Sequence, residues 1–324
     1  MLIFSLVLFL NPYERLAVFI PNADAVGSSV PFDELVIKYG LDKPFYVQYA
    51  DWLTNVLKGN LGWSPSARMP VGKALRLYFP ATVELMLVGM LMVFPASIFL
   101  GTMSARRHNK LFDQISRVAT TIGVSLPEFI FGLLLLVLFY GILGVLPPGQ
   151  LSGWAEDIVY LGDFRRYTGF MLLDSLLNAN LYIFWDALKH MLLPAAAYSI
   201  GLMSVMQRVV GSSLLETLKK DYVTTARAKG LAESVVVKTH ARRNSLLPVV
   251  TVSGGMIARM LGGAAIVETV FNYRGMGMFI VTAAQGLDFS AILGSSLLIG
   301  LIIVLTNLVV DILYTVLDPT VVLD

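Results

Sequence analysis

The stretch Asp221 to Pro248, DYVTTARAKGLAESVVVKTHARRNSLLP, is a polar island between long apolar runs on both sides. Lys219, Lys220, Arg227, Lys229, Lys238, Arg242 and Arg243 crowd in or beside it. An excess of Lys and Arg over acids marks a loop on the cytoplasmic face of a membrane, so this island is expected to look inward. Ala, Arg and Lys from Tyr222 to Lys229 favour a helix. Gly230 can then adopt the positive φ that ends a helix, and Val235, Val236 and Val237 begin a second amphipathic run. The expected shape is two short helices joined by a glycine elbow.

Composition agrees with a membrane setting. The 324 residues are 56% hydrophobic and 14% charged, with a mean hydropathy of +0.72. That is too apolar for a soluble domain and too interrupted for one buried core, which leaves a polytopic, all-α membrane protein. Net charge is only +2, so no nucleic acid or other acidic polymer is implied as partner. Cysteine is absent, which excludes disulfides, thiolate metal sites and cysteine nucleophiles.

Outward from the loop, the spacing predicts about six membrane-spanning helices. Met1 to Leu10 covers roughly half of a 30 Å hydrocarbon core, so residues 1–10 are expected to be the remnant of a first helix with further chain before them. Residues 11–79 mix charges, aromatics, Gly and Pro, and are expected to form an external segment. Tyr46, Tyr49 and Trp52 suit an interfacial aromatic belt better than a substrate contact. Residues 80–324 are expected to be the transmembrane core, with the loop at 216–245. Within it, Ala81 to Ala105 is a clean span closed by Arg106, Arg107, His108 and Lys110. A second runs from about Arg117 to Leu143, kinked at Pro127. Glu156, Asp157, Asp163, Asp174 and Asp186 then outnumber the basic residues, as expected outside. The remaining spans are about His190 to Leu215, Leu246 to Glu268, and Ile292 to Leu317. The pairs Gly254-Gly255 and Gly262-Gly263 would let a neighbouring backbone approach closely.

No motif supports catalysis by this chain. Gly72-Lys73 precedes Ala74 and lacks the upstream glycine of a phosphate cradle, and His108, His190 and His240 have no metal-ligand spacing. Ionisable residues at bilayer depth are the other functional candidates, since each costs about 2.5 to 3.5 kcal/mol to insert. Glu84, Glu128, Arg259 and Asp311 are such residues, and Arg259, Glu268, Asn307 and Asp311 are the candidates for lining a pathway. Glu84 and Asp311, near helix ends, fit structural roles. Arg259 lies eleven residues past Pro248, roughly 16 Å along the helix, which puts it close to mid-membrane. It either lines a pathway or pairs with an acid.

The loop resembles the coupling loop of ABC importer permeases. Thr224, Thr225 and Ala226 stand where that family carries Glu-Ala-Ala, with Gly230 at the family's spacing, while His240 to Arg243 depart from its Ile-x-Leu-Pro exit. The string A-R-A-K-G-L followed by H-A-x-R-N-x-L-L-P is similar to the oligopeptide/dipeptide branch. Tyr39 to Leu53, Lys58 to Ser64, Gly123 to Gly132, and ETVFNYRGMG from Glu268 to Gly277 add to the likeness. The resemblance implies the type I ABC importer permease architecture and a pathway shared with a homologous second permease. It also implies two cytoplasmic ATPases that bind ATP and Mg, an extracytoplasmic solute-binding protein, and a prokaryotic cell membrane. This chain itself would need no cofactor. Tyr222, Thr224, Thr225, Ala226, Arg227, Ala228, Lys229 and Gly230 would meet the ATPases, with Ala226 and Ala228 allowing close approach and Arg227 or Lys229 supplying polar contact. Peptides are the implied cargo, with oligosaccharides or nickel chelates as alternatives. The rival class is a secondary transporter driven by an ion gradient, which would show paired broken helices and internal repeats.

Overall fold

A computed structural model describes residues 40–317 continuously, together with Phe32–Lys38, Phe4, Ser5 and Leu16. The expected remnant of a first helix at residues 1–10 lies almost wholly outside the described residues, as does most of 11–31. The described chain is a helical bundle. Its one sheet among these residues is the two-stranded antiparallel pair β1 (Trp63–Ser64) and β2 (Met69–Pro70).

The short helix α1 (Phe32–Lys38) and the aromatic-rich α2 (Phe45–Leu57) come first. On α2, Tyr49 and Trp52 each have their ring centroids 5.4 Å from that of Phe4, while Tyr46 is exposed. Tyr49 and Trp52 thus pack α2 against Phe4.

Helix α3 (Val71–Arg106) starts ten residues before the expected span, because Pro80 lies inside it without ending it. The next span departs further from expectation. Instead of a kink at Pro127, α4 (Leu111–Ser125) and α5 (Glu128–Leu135) meet at a 106° bend, with Leu126 and Pro127 in extended conformations. Proline cannot donate an amide hydrogen and disfavours helical geometry in the residue before it, so both preceding and following turns are freed. The chain then continues as a π-helical turn, Leu136–Ile142. Two short helices, α6 (Gly153–Leu161) and α7 (Met171–Leu177), follow at the same end as the β-hairpin.

Helix α8 (Leu181–Thr217) is the centre of the bundle. It takes the expected surface helix and the following span into one rod, opened by the Asn180 side chain, which accepts from the Ile183 amide at 3.2 Å. Its course runs parallel to α3: Gly89 lies against Ala195 and Ser199, and Gly101 against Gln207 and Val210. Among the described residues, three helices, Val71–Arg106, Pro248–Val270 and Phe289–Ile312, are long and apolar enough to cross a membrane, and the bent pair is at most a fourth. Helix α8 carries buried Asp186, His190, Ser199, Ser204 and Gln207 instead. Its buried face packs among neighbouring helices, which accommodates these polar side chains.

After α8 come α9 (Asp221–Ala228), α10 (Glu233–Val235), a second π-helical turn (Val236–Ala241) and α11 (Arg242–Ser245). The chain then recrosses as α12 (Leu247–Val270), folds over as α13 (Met276–Gln285) and ends its described course in α14 (Phe289–Leu317). The main core joins α3, α8 and α12 through Leu85, Met191, Tyr198, Met206 and Met260, with Phe271 beyond the end of α12.

Candidate coupling surface and pathway wall

The basic loop folds as two short helical pieces around a glycine, as its sequence suggests. Asp221 in the first turn of α9 and Arg227 in the last complement the helix dipole. Lys229 caps the helix and Gly230 follows with φ +79°. No atom lies near the position a side chain on Gly230 would take, so the glycine is required by its backbone conformation alone.

The inner face of the loop is apolar. Val223 and Ala226 of α9 pack with Val236, Val237 and Ala241 onto Ala105 of α3 and Leu214 of α8. Val235, expected in the same apolar run, is 42% exposed. Asn244 Nδ2 donates to Tyr222 Oη at 3.0 Å, tying α11 back to α9. Across the elbow, Arg227 donates through Nε and Nη2 to the two carboxylate oxygens of Glu233, at 3.0 and 2.8 Å. Its Nη1 also reaches the Leu218 carbonyl at 3.2 Å. The hydrogen bonds from Arg227 hold the Glu233 carboxyl below its ordinary range, and Glu233 raises the guanidinium in turn. A depressed carboxyl favours the clamp above the ordinary glutamate range, and the contribution fades as pH falls through the folded value.

These contacts redistribute the expected roles. Ala226 is buried, so its small side chain serves the internal packing of the loop and offers no outward approach. Arg227 is engaged within the chain. Asp221, Tyr222, Thr224, Thr225, Ala228, Lys229 and Gly230 remain on the outer surface, with the apolar side chain of Leu231, 40% exposed, beside them.

The membrane candidates divide into two sets. Glu84 and Glu268 are buried and satisfied. Glu84 accepts the amides of Met171 and Leu172 at 2.8 and 2.7 Å, closing the start of α7. Glu268 accepts from Thr82 Oγ1 at 2.5 Å and from the Met278 amide at 2.9 Å, while Thr82 Oγ1 accepts the Met276 amide at 2.7 Å. Together they close the start of α13. The glycines of ETVFNYRGMG fit this use: a side chain on Gly277 would overlap the backbone of Ala264 and Ala265, and one on Gly275 would overlap the Glu268 carboxylate. Glu268 therefore has no free face in this conformation. Its fastening role was invisible in the sequence, where nothing links Glu268 to an amide ten residues on or to Thr82.

The second set is open. On α12, Thr251, Gly255, Arg259, Gly262, Ile266 and Thr269 are exposed and recur every three or four residues, forming one stripe along the helix. The expected glycine pairs split between two faces. Gly254 lies against Val310 of α14 and Gly263 against the Glu128 carboxylate at the start of α5, whereas Gly255 and Gly262 stand in open space. Glu128 also feels the positive charge of Arg259. Asn307 and Asp311 sit on the outer surface of α14. No group of three or more His, Asp or Glu side chains suited to a metal occurs among the described residues.

Comparison with known proteins now fixes the family. Residues 97–323 match the family described as binding-protein-dependent transport system inner membrane component. The chain belongs to that family. It is a permease subunit of the ABC importer class with the type I fold, and not itself an enzyme. It is 40% identical over 281 residues to the probable D,D-dipeptide transport system permease DdpB of Escherichia coli K12, covering 86% of this chain and 81% of that one. It is 39% identical over 287 residues to the di/tripeptide transport system permease DppB of Pseudomonas aeruginosa UCBPP-PA14, covering 88% and 83%. Against the dipeptide transport system permease DppB of E. coli K12, identity is 37% over 286 residues, covering 88% and 84%.

Proposed function

We propose that this chain forms half of a peptide-conducting pathway in a prokaryotic inner membrane, beside a homologous second permease. The basic loops face the cytoplasm, and the end carrying the β-hairpin, α6, α7 and α13 faces outward to receive cargo from a solute-binding protein. Two separate ATPases, holding ATP and Mg, dock on the outer surface of α9 and around Gly230. Short peptides are the cargo, as named for the three relatives; oligosaccharides and nickel chelates are the alternatives.

The single observation that carries the pathway reading is Arg259, exposed halfway along an apolar span between the bare glycines Gly255 and Gly262. A guanidinium facing lipid at that depth is costly, whereas one facing a hydrated passage can meet a peptide carboxylate. Glu128 beside it offers the opposite charge for an amino group. Loops that transmit ATPase motion must be stiff enough to pass on several kcal/mol of differential interaction, and the apolar inner face of the α9 to α11 unit supplies that stiffness.

The test is uptake by proteoliposomes containing both permeases, both ATPases and the binding protein. Labelled dipeptide should enter only when ATP is hydrolysed. Uptake that continues with hydrolysis blocked would support the gradient-driven alternative, and uptake of an oligosaccharide or nickel chelate in place of dipeptide would correct the cargo. Arg259→Met should lower uptake while leaving assembly intact. Unchanged uptake would remove Arg259 from the pathway.

A further inference from the structure

At the basic end of the bundle, outside the coupling surface, a cavity of about 630 Å³ opens between the last turns of α3 and the start of α11. One wall is apolar: Pro95, Ile98, Phe99 and Met103 recur along one side of α3. Phe99 is 63% exposed although it lies in a helix apolar enough to cross a membrane. The other wall is cationic, formed by Arg106, Arg107 and Arg242, and the lining contains no acid. A volume of this size falls in the range of small-molecule sites.

Two acids at this end of the bundle are already engaged. Asp113 is held by Arg117, Ser104 Oγ and the Asn109 amide. Glu233, which feels the charge of Arg106, is clamped by Arg227 through two hydrogen bonds. Arg107 lies with its guanidinium carbon 5.7 Å from the Phe112 ring centre, which fixes its position without neutralising it. Three like charges line one cavity, and an anion placed there would be attracted by all of them. The apolar wall leads from that charge toward the middle of the span.

We infer that this cavity is a binding site for an anionic phospholipid of the inner leaflet. The phosphate sits among Arg106, Arg107 and Arg242, and an acyl chain lies along Phe99, Ile98 and Pro95. Basic pockets at the cytoplasmic ends of membrane helices suit such headgroups by charge, while the apolar wall requires the tail. Because Arg242 opens α11 and Arg106 closes α3, the bound lipid bridges the coupling unit to the bundle.

Native mass spectrometry of the assembled complex, extracted in mild detergent and supplied with phosphatidylglycerol or phosphatidylcholine, tests the site. The wild type should retain phosphatidylglycerol in preference to phosphatidylcholine. The triple variant R106Q/R107Q/R242Q should lose that preference, with retention falling roughly fivefold for each arginine removed. The triple Lys variant should keep it. Should the triple Gln variant fail to assemble, Arg242→Gln alone leaves α3 intact and should still lower retention. Phe99→Asp should weaken phosphatidylglycerol while sparing any binding of inorganic phosphate. Equal retention by wild type and Gln variants overturns the site. Displacement of the lipid by millimolar phosphate would reduce it to an ion site and overturn the lipid assignment. Binding to the isolated subunit but not to the complex would assign the cavity to a partner subunit instead.

Discussion

The two ends of the bundle are held together in different ways. At the end carrying the β-hairpin, buried carboxylates reach across the sequence to close the starts of helices. Glu84 serves α7, Glu268 serves α13, and Asp186 accepts from the Ser152 amide at 2.8 Å ahead of α6. Asp288 accepts from Ser64 Oγ at 2.5 Å and the Ala291 amide at 3.0 Å, joining the hairpin to α14. Asp174 gathers the amides of Thr168 and Gly169 at 2.8 and 2.9 Å. The coupling unit at the other end has no such fasteners. It rests on small apolar contacts, the Asn244–Tyr222 hydrogen bond, one exposed Arg227–Glu233 clamp and one positive-φ glycine. A carboxylate bound to two buried amides locks one geometry, whereas the coupling unit, stiff within itself, meets α3 and α8 only through small Ala, Val and Leu contacts that let it shift as one body. On the proposed orientation, the difference gives a fixed frame at the end that would receive cargo and a movable unit at the end that the ATPases would drive. Even at the basic end the distinction is local, since Asp113 fastens the α3–α4 turn through the Asn109 amide at 2.9 Å.

The largest expected effect is at Glu268. Glu268→Ala strands the Met278 amide and frees Thr82 in a buried site, at a cost of about 3 kcal/mol. The purified subunit should unfold at a clearly lower temperature or fail to accumulate, and thermal unfolding in detergent reads it. An unaltered transition would mean that the fixed frame is not fastened there. Glu84→Ala should cost somewhat less, about 2 kcal/mol, because Met171 and Leu172 open a short helix with partial access to water. Hydrogen exchange should rise across residues 171–177 and stay unchanged across 221–228. A rise across both would erase the contrast between the two ends.

Much of this contrast could be read in the sequence at one end only. The Ala- and Arg-rich run and Gly230 announced a helix, an elbow and a second helix because those preferences are local. Local signals also gave the order of the long helices beyond the first, of which three among the described residues, or four with the bent pair, are long and apolar enough to cross a membrane. What they missed depended on distant partners. Glu84, read as structural, and Glu268, read as a pathway candidate, could not be matched by spacing to their donors, the amides of Met171 and Met278. Ala226 looked like an outward contact until Val236 and Ala241 were folded over it. Arg227 looked free until the elbow brought Glu233 alongside. Pro80 and Pro127 show the limit from another side. The same residue type was accommodated within α3 and stands at a 106° bend between α4 and α5, a difference that residue type alone does not announce.

Gly230→Val sharpens the comparison at the coupling unit. Left-handed backbone costs an ordinary residue roughly 1 to 2 kcal/mol, and a β-branched one resists it further, but no neighbour obstructs the new side chain. Insertion and thermal stability of the subunit should change little. Transport should be lost, and the ATPases should co-purify poorly. Gly230→Asn, which tolerates positive φ, should recover most of both. Normal uptake by the Val variant with the ATPases still bound would show that the elbow does not shape the docking surface.

The smallest expected effect is at the clamp. Arg227 and Glu233 are 40% and 56% exposed, and exposed pairs of this kind contribute about 0 to 1 kcal/mol. Arg227→Ala should therefore leave thermal unfolding of the subunit unchanged. Its effect should appear only in the assembled transporter, as weaker ATPase retention, because the clamp sets the angle between α9 and α10 rather than the stability of the fold. Glu233→Gln should behave alike, and the double variant should be no worse than either single one if the two residues act as one clamp. Since the Arg227 hydrogen bonds depress the Glu233 carboxyl, retention by the wild type should hold at neutral pH and decline as acidity protonates that carboxyl. Glu233→Gln, lacking the titrating group, should flatten that decline. Additive losses in the double variant, or an acid decline that persists in Glu233→Gln, would show that Arg227 meets the ATPases directly and that the coupling unit is shaped by its packing alone.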